Sequence, residues 1–161
     1  MSKEQRITES DVALDVDELL EEYDLDTSKL RKPTGMIAKV VAIIAILFST
    51  FQFITAGFGT LLSVRQRSLH IMFAFVLGFL LYPAHEEKSD RTNPSILDYV
   101  FSVLTVIVFG YLFIFVEEIA NKAGNATTLD LVLGIAAILI TLEVTRRVVG
   151  AALPIVAIVF L

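Results

Sequence analysis

Residues 40–64 contain no Asp, Glu, Lys or Arg. As a helix, a run of that length rises further than the roughly 30 Å of a bilayer's hydrocarbon layer, which about 20 residues suffice to cross. The 161 residues leave too little polar chain to wrap such a run in a soluble domain. Apolar residues make up 55% of the sequence and charged residues 19%. The charges are also segregated rather than interleaved, since ten of the 18 acidic residues precede residue 27. A soluble fold alternates polar and apolar positions; this chain separates them, as an integral membrane protein does.

Further apolar runs follow, divided by polar breaks. The first span is expected over residues 36–62, with Lys39 able to snorkel to the headgroups and Gln52, Thr55, Gly57 and Gly59 suited to close helix contact. A turn, SVRQRS, carries Arg65 and Arg67 and leads to a short second span over residues 70–84. The hydrophilic stretch HEEKSDRTNP separates it from a third span over residues 96–116, which has Asp98 and Tyr99 at its mouth and is closed by Glu117 and Glu118. The fourth run begins near Leu129 and is expected to emerge around Glu143, Arg146 and Arg147. Glu143 and Arg147 are spaced to pair across one helical turn. Pro154 favours a break near the start of a fifth hydrophobic segment.

The expected fold class is therefore an all-α integral membrane protein, with four transmembrane helices and the start of a fifth. Three regions are expected: an acidic tail over residues 1–35, a four-helix module over 36–149, and residues 150–161 opening a further segment. Within the tail, Val12, Val16, Leu19, Leu20 and Tyr23 recur at helical spacing beside acidic residues, which suits either a short amphipathic helix docking on protein rather than on anionic lipid, or a partly disordered leader. A chain ending at Leu161 inside an apolar run reads as truncated. Basic flanks favour a cytoplasmic N-terminus, with Lys29, Arg31, Lys32, Lys88, Arg91, Arg146 and Arg147 inside and Arg65, Arg67 and Lys122 outside.

Signals for chemistry are sparse. The chain has no cysteine, which removes thiolate catalysis, thiolate metal ligation and disulfides. His70 and His85, even with Glu86 and Glu87, do not form a metal-ligand pattern. There is no glycine-rich nucleotide loop, no nucleophile–base arrangement, and no basic face for nucleic acid. Neither catalysis nor a cofactor is expected. Asn125 opens an NAT acceptor pattern, relevant only in a glycosylating cell. The residues expected to matter are structural or interfacial: Glu117 and Glu118 at one membrane boundary, and Glu143, Arg146 and Arg147 at the other. The spans are expected to lack a buried charge relay.

Four stretches together resemble a known family: VDELLEEYD, LFSTFQFITAGFG, RQRSLHIMFAFVLGFLLYPA, and the run from EEIANKAGNATTLDLVLG through TRRVVGAALP to the end. They are similar to the N-terminal part of the fused permeases of tripartite ATP-independent periplasmic (TRAP) transporters, where a small four-helix component is joined to a large transport component. The resemblance covers the chain from about Val16 onward, and its most specific block is residues 117–154.

The resemblance implies the scaffold portion of a sodium-coupled secondary transporter for organic acids or similar solutes, in a bacterial or archaeal cytoplasmic membrane. It also implies two protein partners: the large component, and an extracytoplasmic solute-binding protein, often of the TAXI type. Alternating access and the substrate site belong to the large component, so no substrate-binding residue carries over. A non-transport membrane adaptor and a small membrane sensor remain the alternatives.

Overall fold

A computed structural model describes residues 30–59, 63–84, 93–122 and 124–160. The chain divides into two units at residue 30, and the amphipathic stretch of the tail lies outside the described residues, as do His85, Glu86 and Glu87. The second unit is all helix: α1 (Gly35–Phe58), α2 (Ser63–Leu81), α3 (Ile96–Asn121), α4 (Thr128–Val148) and α5 (Ala152–Phe160). The first four are each long and apolar enough to cross a membrane. At about 1.5 Å per residue they measure about 28–39 Å, against a hydrocarbon layer of about 30 Å.

One helix boundary departs from the sequence expectation. Residues 63–68, expected as a turn, are the opening turns of α2. Arg and Gln are good helix formers, and no Gly or Pro interrupts the stretch, so the helix absorbs it and the short second span becomes one of 19 residues. The fourth helix runs through Glu143 and both arginines to Val148. It stops there because Gly150 adopts φ 101°, a left-handed conformation that costs glycine little. Pro154 then lies within the first turn of α5, where a missing N–H breaks no helical bond.

Successive helices run in alternate directions, so the bundle has two ends. One end gathers the start of α1, the close of α2, the start of α3 and the close of α4; Arg31, Leu80, Asp98 and Arg147 meet there. The opposite end joins the start of α2 to the close of α3 through Arg65 and Glu117. It also joins the close of α3 to the start of α4 through Tyr111, Lys122 and Asp130.

Phe79, Val108, Phe109, Ile140 and Val144 form the core where α2, α3 and α4 meet. Gly78 permits this approach, because a Cβ there would lie 2.8 Å from a Val144 methyl. The first helix packs more lightly, setting Val41 against Val76 and Leu80 of α2. Phe48 and Phe51 add ring contacts to Phe73. Most other large apolar side chains of α1, α3, α4 and α5 face outward, as lipid or a partner helix requires.

Candidate functional site

The third helix begins with Ser95 and reaches Asp98 three residues later. The Ser95 backbone N–H donates to Asp98 Oδ2 at 2.8 Å, so the carboxylate caps its own helix. That geometry turns Asp98 inward, where it is completely buried. Arg31, just before α1, pairs with Asp98 Oδ2 at 3.0 Å, and Arg147 from α4 pairs with Oδ1 at 2.5 Å. Both guanidiniums are buried with it.

The network continues along α4. Arg147 Nε donates to Glu143 Oε1 at 2.8 Å, and Arg146 holds both oxygens of the same carboxylate, each at 2.8 Å. The Arg147 guanidinium also lies 4.9 Å from the Phe79 ring centre and 5.4 Å from that of Phe101. Those rings stack on each other at 5.2 Å, giving the cation two aromatic faces.

The same arginines close the end of α2. Its last carbonyls have no partner within the helix and need donors wherever water is scarce. Arg31 donates to Leu80 O at 3.0 Å, Arg147 to Tyr82 O at 3.4 Å, and Arg146 to Ala84 O at 3.3 Å. The Arg31 backbone N–H reaches Leu81 O at 2.7 Å. The cluster sets three cations against two carboxylates, and the negative end of α2's dipole offsets the surplus.

The sequence reading expected spans without a buried charge relay; the structure buries Asp98 with Arg31 and Arg147 at one end of the bundle. The sequence reading set Asp98 at the mouth of its span because its partners lie 49 residues away or more in the chain. A signal was present in Ser95-x-x-Asp98, a helix-start pattern that commits the carboxylate to a defined direction. The network holds three helices and the segment before α1 at one point, as a clasp does.

Thr127 and Asp130 repeat the pattern at the opposite end. Asp130 Oδ2 accepts from Thr127 N at 2.9 Å, and Thr127 Oγ1 accepts from Asp130 N at 3.3 Å. Oδ1 accepts the Tyr111 hydroxyl at 2.6 Å, and Lys122 Nζ donates to Oδ2 at 3.2 Å. Lys122 lies outside the spans, and its hydrogen bond to Asp130 raises its ammonium above the ordinary lysine value, with Glu118 contributing further. A bend in α3 at Phe115 (φ −99°, ψ 16°) lies beside this cluster, and its ring packs on Tyr111.

The expected interface residues are thus divided between the ends. Glu143, Arg146 and Arg147 join the buried clasp. Glu117 and Glu118 are largely exposed, paired with Arg65 at 3.0 Å and Lys122 at 3.3 Å. Asp98, Arg31 and Asp130 were missed as site residues. Between the ends, Ser102 and Thr105 bond their own helix carbonyls, and Gln52 of α1 hydrogen-bonds His70 of α2. Among the described residues, no group of three or more His, Cys, Asp or Glu comes together to hold a metal.

Comparison of the chain with models of protein families, with curated proteins and with solved structures finds no match. The class rests on the fold itself: an all-α, multi-pass membrane bundle of four long apolar helices and a shorter fifth.

Proposed function

We propose that this chain is the membrane scaffold portion of a sodium-coupled, binding-protein-dependent secondary transporter for organic acids, of the TRAP fused-permease kind. The observation that carries the reading is the gathering of ion pairs at the two ends of the bundle, around an apolar core. The ion pairs Arg31–Asp98–Arg147 and Lys122–Asp130 lie at the two ends, while Phe79, Val108, Phe109, Ile140 and Val144 fill the middle. A brace needs stiff ends and apolar faces, and the bundle has both.

Leu131, Val132, Ile135, Ile138 and Leu139 of α4 remain outward and give transport helices a surface to pack on. In this reading the end carrying Glu117, Glu118 and Lys122 faces the binding protein, and the clasp lies on the cytoplasmic side. The family resemblance over residues 117–154 supports the same assignment.

A photo-crosslinking residue in place of Leu139, used in native membranes, tests it. A crosslink to transport helices, within the same polypeptide or on a separate permease subunit, is the expected product. Uptake by proteoliposomes containing only the purified 161-residue chain and a binding protein would overturn the division of labour. A crosslink to a protein without transport activity would instead favour a membrane adaptor.

A further inference from the structure

An apolar cavity of about 140 Å³ opens between α3 and α4, lined chiefly by Val108, Phe109, Leu112, Leu133, Gly134 and Ala137, with Tyr111 and Asp130 at its polar end. That volume approaches the apolar cavity of about 150 Å³ that takes up benzene in an engineered protein. From Asp130 to Ala137 the slot follows about 10 Å of helix rise, from the helix start into the apolar span. A Cβ on Gly134 would meet nothing within 4 Å, so the slot is open at that point.

We infer that this groove is a phospholipid site, seating one acyl chain and preferring a head that carries a primary ammonium group. A methylene chain fits both the lining and the direction of the slot, and restores dispersion contacts that an unfilled gap forfeits. The polar end selects the head. Asp130 lines the slot, and ion pairs join it to Lys122 and, through Lys122, to Glu118 just beyond the lining; the two carboxylates and the ammonium sum to −1. The Glu118 side chain is 60% exposed and paired with Lys122, which leaves acceptor positions for an incoming ammonium. Lys122 has three N–H donors, two of them committed to Asp130 and Glu118, so the third can meet the phosphate. A purely anionic head would be repelled by the same polar end. The inference requires only the membrane bundle and is independent of the transport reading.

Native mass spectrometry of the full chain, purified in mild detergent with equimolar phosphatidylethanolamine and phosphatidylglycerol, tests it. Wild type is expected to keep one phosphatidylethanolamine, severalfold over phosphatidylglycerol. Gly134→Phe, which fills the slot, should reduce retained lipid at least tenfold with helix content unchanged. Glu118→Gln, at an exposed site where misfolding is not at issue, should bring the ratio of the two lipids towards one. Equal retention of both lipids by wild type, or wild-type retention by folded Gly134→Phe, would overturn the assignment. So would a crosslink from position 134 to another protein's helix together with no retained lipid, which would make the groove a helix seat.

Discussion

Asp98 and Asp130 occupy equivalent positions, each the third residue of its helix, each following a Ser or Thr three places earlier. Each caps its own helix and also receives cations from another part of the chain, but their surroundings differ. Asp98 is wholly buried between two buried guanidiniums. Removing its charge would take a shared carboxylate from two buried guanidiniums, although Arg147 keeps Glu143, so Asp98→Asn should destabilise the bundle by about 3–5 kcal/mol, the usual cost of breaking a buried pair. Chemical unfolding in mild detergent measures it. Glu117→Gln breaks only the exposed pair with Arg65 and should change stability by less than about 1 kcal/mol in the same assay. Similar losses from the two variants would show that burial does not distinguish the two ends.

The middle of the bundle depends on how closely the helices approach, and two glycines show the difference. A methyl at Gly78 in α2 meets a Val144 methyl at 2.8 Å, on a β-branched side chain with little rotamer freedom in a helix. Overpacking costs about 1–3 kcal/mol, whereas replacing a helical Gly by Ala gains up to about 1 kcal/mol. Gly78→Ala should therefore be destabilising by about 1 kcal/mol, lowering the midpoint of thermal unfolding. Gly134 on α4 faces open space, so Gly134→Ala keeps only the helix gain and should be neutral or slightly stabilising. Thr127→Ala removes the cap of α4 and should cost about 1 kcal/mol.

At the scale of the whole molecule, alternating helices place Lys32 and Asn125 at opposite ends, both exposed. Because the sequence has no cysteine, single-cysteine variants report position cleanly. In intact cells a membrane-impermeant thiol reagent should label Asn125→Cys and leave Lys32→Cys unlabelled until the membrane is opened. The reverse pattern would invert the orientation that the basic flanks favour.

Charge-free runs and polar breaks determined by themselves that this is a helical membrane protein, and roughly where its spans lie. Each is a local property, because a helix long enough to cross a bilayer satisfies its own backbone wherever its neighbours are. Glu143, Arg146 and Arg147 were legible as a group because they share one turn of one helix. Asp98 was not legible as the centre of a clasp, because burial and pairing depend on Arg31 and Arg147 arriving from distant parts of the chain. The tertiary structure also decided which carbonyls the arginines close, how nearly Val144 approaches Gly78, and that a groove opens beside Asp130. Those features depend on helix register and separation, which apolar periodicity alone does not specify.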